Sequence, residues 1–320
     1  MNGRCIRWNE ATLHVSSHAL HYGTGIFEGM RCYDGDDGPS IFCLDEHLRR
    51  FFASANAYCI EIPYKEDQIR EGIFDVIAGN GFSSCYVRPI CYFGSDTLGV
   101  HPRSCPVEMA ILTWPWGAYL GESGVRVTVS SWEKFSSRAM PATAKACGQY
   151  LNSNLAVRQA VSRGYDEAIL LNSDGTIAEG SGENLFLVWD GRLITNDESS
   201  SILLGVTRSV VIEIARDLGY EVEVRPIVLD DLLGADEAFF TGTATEVAPI
   251  REVDGTVIGT GNPGRITAEI QRVFVDTTLG RVPRYKKWLH PVRRQQSTDG
   301  SQNIGVTRPR ERSRDSRAAI

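Results

Sequence analysis

The stretch LNSNLAVRQAVSRGYDEAILLNSDGTIAEGSGENLFLVWDGRLIT (151–195) decides the fold class. Leu151 to Arg163 reads as a helix closed by Gly164, because glycine takes the left-handed turn at a helix end without a steric cost. Ala168 to Leu171, Leu185 to Trp189 and Arg192 to Thr195 then read as strands. Ser173-Asp174-Gly175 and Asp190-Gly191 supply the turn residues of hairpins. One helix followed by strands joined through tight turns predicts an α+β domain, not the regular alternation of a doubly wound sheet.

The same signals extend outward. Thr207 reads as the cap of a helix whose buried face is Val210, Val211, Ile214 and Leu218, with Gly219 as its stop. Strands are expected at 221–227 and 237–241, then a last helix with Ile266, Ile270, Val273 and Phe274 inward. Upstream, Asp45 reads as the cap of a helix reaching about Tyr58. Ile69, Ile73, Val76 and Ile77 have helical spacing, and Asn80-Gly81 stops that helix. Ser84 to Phe93, Val107 to Thr113 and Val125 to Val129 read as strands. WPWGAYLGESG (114–124) has no period and many glycines and aromatics, so it reads as a linker. The expected organisation is a small N-terminal α/β domain (1–113), an interdomain loop (114–124), a large domain (125–292) and a disordered basic tail (293–320).

Bulk properties agree with a two-domain globular chain. At ~150 residues per domain, 320 residues allow two. A hydrophobic share of 42% is enough for a large core, and a net charge of −7 argues against a globally cationic nucleic-acid or membrane binder. Residues 293–320 carry seven arginines against three acids, so the body is more acidic still. The tail composition cannot bury enough apolar surface to fold alone. Eight cysteines include no C-x-x-C pair, and the start MNGRCIRWNE has no apolar signal core. The expectation is a reduced, cytoplasmic protein with free thiols, no metal and no nucleic-acid or membrane partner.

Only five lysines occur, at 65, 134, 145, 286 and 287, so each can be questioned. Lys145 lies in MPATAKACG (140–148) among small residues. Such neighbours let a flat cofactor approach, and burial lowers an amine's pKa so that it can attack an aldehyde. AEGSGENLF (178–186) holds Glu179 and Glu183 between glycines, where a carboxylate can face a protonated ring nitrogen. LLGVTR (203–208) leads into a helix start, a natural phosphate site. TGTATE (241–246) is a second anion-cradling loop at a strand end. His14, His18 and His21 share helical spacing but lack a carboxylate for a metal set, so packing and hydrogen bonding are the expected roles. Cys147 is read as a small residue beside the cofactor.

These segments converge on one family. SHALHYGTGIFEGMRCYD (17–34), EHLRRF (46–51), YVRPI (86–90), WPWGAYLG (114–121), PATAKACGQYLNS (141–153), GYDEAILL (164–171), AEGSGENLF, LLGVTR, FFTGTATEVAPIREVDG (239–255) and PRYKKWLHPV (283–292) resemble the class IV aminotransferases. Within that family the sequence is most similar to bacterial branched-chain amino-acid aminotransferases, over about Met1 to Val292. The resemblance implies a fold type IV enzyme with the D-amino-acid-aminotransferase-like architecture and pyridoxal 5′-phosphate as cofactor. It also implies a homodimer or higher homo-oligomer, with amino and 2-oxo acids as substrates in branched-chain amino-acid biosynthesis. The implied reaction moves an amino group between L-leucine, L-isoleucine or L-valine and 2-oxoglutarate.

By the same resemblance, Lys145 is the Schiff-base lysine and proton shuttle. Glu179 faces the ring nitrogen, and Tyr150 the cofactor's phenolic oxygen. Arg50, Val206, Thr207 and Thr243 hold the phosphate. Thr243, Ala244 and Tyr86 form the α-carboxylate site. Tyr22, Phe27, Arg88, Val100, Trp116 and Tyr119 form the pocket walls, several of them reaching in from a partner subunit. Cys147, Gln149 and Thr195-Asn196-Asp197 depart from the usual pattern, which bears on the substrate more than on the chemistry. Other readings stay open at this point: a relative acting on D-amino acids, amines or a specialised-pathway amino acid, an aminodeoxychorismate lyase-like enzyme, or a non-catalytic protein working through its basic tail.

Overall fold

The computed structural model describes residues 1–117 and 124–292. The first sheet contains β1 (Gly25–Phe27), β2 (Met30–Gly35), β3 (Gly38–Phe42), β4 (Cys85–Phe93) and β5 (Val107–Trp114). β4 is its spine. β5 runs antiparallel along one edge, from Tyr86 opposite Trp114 to Phe93 opposite Val107. β2 and β1 share the other edge. Three helices accompany this sheet: α1 (His18–Tyr22), α2 (Leu44–Ala57) and α3 (Glu66–Asn80). The expected apolar stripe of α3 is buried through Ile69, Ile73 and Ile77, in one cluster with Leu44, Leu48 and Phe51 of α2 and Val87 of β4. Each such side chain contributes ~1.5–3 kcal/mol on burial. Gly81 stops α3 at φ 66°, in the left-handed region.

The second sheet has nine strands: β6 (Val125–Val129), β7 (Glu167–Leu171), β8 (Ile177–Gly180), β9 (Asn184–Trp189), β10 (Arg192–Thr195), β11 (Val222–Val224), β12 (Glu237–Gly242), β13 (Glu246–Val253) and β14 (Thr256–Val257). Its order is β11-β10-β9-β12-β13-β6-β7-β8, with β14 beside β13. Four helices belong to this half: α4 (Tyr150–Ser162), α5 (Val206–Asp217), α6 (Leu229–Leu233) and α7 (Arg265–Thr278). Successive side chains of β9 point to opposite faces. Phe186 and Val188 join a cluster with Val210, Val211 and Ile214 of α5 and Ile270 and Phe274 of α7. Leu185 and Leu187 join a separate cluster with Val127, Ile169 and Leu232. Burial on both faces explains the unbroken apolar run LFLV in this strand.

The two sheets are tied together at the end of the described chain. β15 (Leu289–Pro291) returns to the first sheet and pairs antiparallel with β3. Phe42 of β3 lies with α7 and Trp288 in the second sheet's core, its ring centroid 5.6 Å from Phe274 and 6.0 Å from Trp288.

Some sequence expectations shift. Helix α2 starts at Leu44 after Cys43, whose φ is 54°, so Asp45 lies in the first turn and is not the cap. There its carboxylate suits the helix N-terminus and meets Arg70 at 2.7 Å. Gly205 precedes α5, which makes Thr207 the second residue of the helix. The strand expected at 221–227 forms only over Val222–Val224, because Pro226 has no N–H to extend the ladder. The three histidines do not converge. His18 is buried and bonded to Thr24 Oγ1 and the Gly99 carbonyl, His14 to Ser16, and His21 to the Val15 carbonyl. Among the described residues, no group of three His, Cys, Asp or Glu is arranged to hold a metal. No helix of the described residues is long and apolar enough to cross a membrane. All eight cysteines are free. The tail 293–320 and most of the 114–124 segment lie outside the described residues.

Candidate active site

A cavity of about 240 Å³ opens where the two sheets meet. Lys145 sits at its base. The backbone there is stitched on both sides: its N–H donates to Ser54 Oγ on α2, and its carbonyl accepts from Phe27 N on β1. Its Nζ lies 2.5 Å from the Tyr150 hydroxyl. Lys145 keeps some accessible surface, but that surface faces the cavity. Burial, then the charge of Arg50, pulls the amine down from 10.5 to about 8. Burial pushes the Tyr150 phenol well up, so it remains O–H.

Glu179 stands at the end of β8 with both oxygens occupied. Oε1 accepts from Lys134 Nζ at 2.6 Å. Oε2 accepts from Leu203 N at 3.0 Å and Asn184 Nδ2 at 3.2 Å. The Lys134–Glu179 pair is nearly buried, at 7% and 8% side-chain exposure, and both residues line the cavity.

Arg50 enters from α2. Its Nε and Nη2 donate to the two oxygens of Glu28 at 2.6 and 2.9 Å, and Nη1 donates to the Leu204 carbonyl. Glu28 also accepts from His47 Nδ1 at 2.8 Å. Burial alone would push the Glu28 carboxyl up, but Arg50 and His47 reverse this and hold it well below the usual carboxylate range. Beside Arg50, Val206 and Thr207 form the first turn of α5, whose free N–H groups suit an anion. Gly205 is needed at that approach: a Cβ there would sit 2.0 Å from Asn184 Oδ1.

Across the cavity, the Arg88 guanidinium lies 4.7 Å from the Phe27 ring centroid, 5.4 Å from Tyr86 and 5.6 Å from Trp114. Trp116 packs on Tyr86 with ring centroids 4.8 Å apart. The Tyr86 hydroxyl crosses close over Gly29, where any Cβ would clash at 2.0 Å. Thr243 and Ala244 line the opposite rim, between β12 and β13.

All seven residues expected to hold the cofactor therefore border one cavity, as do Phe27, Tyr86, Arg88, Trp116 and Ala244. Tyr22 and Val100 do not. They are exposed on the surface of this chain, Val100 at 78%. Tyr119 lies outside the described residues. Cys147 does not line the cavity, and burial raises its thiol to about 11. Gln149 does line it, with Nε2 donating to the Tyr58 hydroxyl and the Pro141 carbonyl. Sequence reasoning assigns no role to Lys134, Glu28 or His47. Lys134 is open to it as one of only five lysines, and Glu28 lies inside the quoted block 17–34.

The residues fit pyridoxal phosphate. The cavity offers an amine of lowered pKa, a fixed carboxylate, and an arginine beside a helix start. Two buried polar atoms on its wall, Arg88 Nε and Thr241 Oγ1, have no partner among the described residues. A bound polar ligand would satisfy such atoms.

Comparison with known proteins agrees. Residues 25–253 match the amino-transferase class IV family. The chain is 42% identical over 296 residues to the branched-chain-amino-acid aminotransferase of Escherichia coli (strain K12), covering 91% of this chain and 96% of that one. It is 40% identical over 291 residues to the enzyme of the same name from Pseudomonas aeruginosa, covering 90% and 94%. The crystal structure of the branched-chain amino acid aminotransferase from Thermobaculum terrenum, in its PLP form, superposes with a TM-score of 0.86 at 35% identity, over 91% of this chain and 96% of that one. The chain belongs to the class IV aminotransferases, pyridoxal-phosphate-dependent transferases, and within them to the branched-chain amino-acid aminotransferase family.

Proposed function

We propose that the protein transfers the amino group of L-leucine, L-isoleucine or L-valine to 2-oxoglutarate, giving branched-chain 2-oxo acids and L-glutamate. One observation carries the choice of substrates: beside Lys145 the cavity joins the aromatic surfaces of Phe27, Tyr86 and Trp116 to the guanidinium of Arg88, which lies over the Phe27 ring. Aliphatic side chains need the apolar surface, and the γ-carboxylate of glutamate needs the cation, since burying it unpaired is costly.

Bound pyridoxal phosphate supplies the electron sink for negative charge at the substrate Cα. Arg50 and the N–H groups of Val206 and Thr207 bind its phosphate. Glu179, which accepts from three donors, faces the ring nitrogen and supports a proton there. Lys145 Nζ takes the proton from Cα, and the Tyr150 hydroxyl beside it holds the amine in place. The amides of Thr243 and Ala244, with the Tyr86 hydroxyl, receive the α-carboxylate.

Tyr22 and Val100 serve a partner's site. They sit with Leu13, Val15, Leu20 and Leu98 among the exposed apolar side chains. A homodimer would cover these side chains and bring both residues to the neighbouring cavity. The cytoplasm, with its reduced thiols, is the proposed compartment. The test is a two-substrate panel on purified protein, scoring both enantiomers of each amino donor and simple amines against 2-oxoglutarate and pyruvate. L-leucine, L-isoleucine or L-valine with 2-oxoglutarate should be fastest. Preference for a D-amino acid or an amine would overturn the reading.

A further inference from the structure

Glu246 is an anomaly in the backbone. It stands where the turn after β12 enters β13 and has φ 59°, in the left-handed region. Glycine adopts that conformation freely, whereas any other L-residue pays ~1 kcal/mol or more in steric strain. A side chain kept at such a position points to a job for it.

The contacts show the job. Glu246 Oε1 accepts from Arg31 Nη1 at 2.8 Å and from the Tyr33 hydroxyl at 2.8 Å. Arg31 and Tyr33 belong to β2 of the other sheet. The same guanidinium donates through Nη2 to the Trp116 carbonyl at 3.2 Å. One arginine, 11% exposed, thus grips two walls of the cavity: the β12–β13 turn and the segment that carries the Trp116 ring. The Thr243 and Ala244 N–H groups, three and two residues before Glu246, donate to no protein group among the described residues.

We propose that the Arg31–Glu246 ion pair is a positioning latch that holds the β12–β13 turn at the distance where its free amides receive the substrate α-carboxylate. Neither residue touches the reacting atoms. The latch acts through the turn on one side and through the Trp116 carbonyl on the other, across the junction between the two sheets. It rests on the reading that Thr243 and Ala244 bind this carboxylate. Because both half-reactions share an α-carboxylate, the latch serves amino and oxo acids alike.

The test uses the holoenzyme and a leucine-like acid that has no amino group, 4-methylpentanoate, titrated through the cofactor's visible band. Its amide, 4-methylpentanamide, is the control. Glu246→Gly removes the carboxylate and the left-handed strain together, so relief of the strain offsets part of the cost of leaving Arg31 without its partner. Glu246→Gln keeps an acceptor oxygen, and Arg31→Met removes the other partner. Wild type should prefer the acid. Glu246→Gly and Arg31→Met should each weaken the acid ~10-fold, with Glu246→Gln between them and wild type. KM for leucine and for 2-oxoglutarate should both rise, kcat should change less, and cofactor retention should stay as it is. If wild type binds acid and amide equally, the carboxylate reading of the turn fails. If wild type prefers the acid and Glu246→Gly retains that preference undiminished, the latch fails while the carboxylate reading stands.

Discussion

Lys145 should be the first lysine of the cofactor-free protein to react with an electrophile as the pH rises. Only the neutral amine attacks a carbonyl. With a pKa of about 8, roughly a quarter of Lys145 is neutral at about pH 7.5; for an ordinary lysine near 10.4 the share is roughly one in a thousand. The expected advantage is therefore ~200-fold at that pH, and it shrinks steadily as the pH approaches ~10. Burial is the main cause and Arg50 the second, so the effect belongs to the walls of the cavity and needs no bound ligand. The assay is reductive methylation with limiting formaldehyde between about pH 6 and 10, read by peptide mass spectrometry. Five lysines make the map simple. Reloading with pyridoxal phosphate, followed by the growth of its visible band, should show the same midpoint. A Lys145 midpoint near the ordinary lysine value, or earlier labelling of Lys134, would refute the argument that this cavity prepares the amine.

Three further outcomes follow from the same contacts. Glu179→Gln should retain the cofactor, because the phosphate contacts remain, but should lower kcat ~100-fold; unchanged turnover would mean that another group supports the ring proton. Glu28→Gln should cost ~3–5 kcal/mol in urea unfolding, since Arg50 is left buried without its carboxylate. The sign at low pH follows: the Glu28 pKa is depressed in the fold, so its stabilisation is present above about 4.5 and is lost as the pH falls below that value. A Glu28→Gln protein as stable as wild type at neutral pH would contradict both statements. Arg88→Leu should slow the glutamate half-reaction ~10-fold and the leucine half-reaction much less, as single-turnover kinetics would show; equal losses would make Arg88 structural.

The legible parts of this fold are those where local chemistry and tertiary packing agree. Ile69, Ile73 and Ile77 repeat along one face and are all buried, and Gly81 ends the helix at the position its φ requires. The start of α2 misleads because Asp45 is a good cap by type, while the backbone turns earlier, at Cys43. β15 escapes a local reading because pairing between Leu289 and Phe42 joins residues far apart in the chain, and no local pattern records it. The site divides the same way. Lys145, Glu179 and the α5 start sit in glycine-rich or small-residue segments whose composition is itself a signal. Lys134, Glu28 and Glu246 act through partners 45, 22 and 215 residues away, and spacing along the chain cannot announce such pairs.

Two lysines line one cavity, and their surroundings give them opposite chemistry. Lys134 is held at 2.6 Å by a carboxylate in a nearly dry site. Its Nζ is occupied by that contact. Among the described residues, Lys145 has no carboxylate within hydrogen-bond distance. Its neighbour is a phenol that stays protonated, and the nearby Arg50 adds positive charge. Giving up a proton therefore relieves Lys145. The carboxylates near the cavity are spoken for: Glu28 hydrogen-bonds Arg50 and His47, and Glu179 hydrogen-bonds Lys134, so the pull of Glu28 on the Lys145 charge is outweighed by burial and by Arg50.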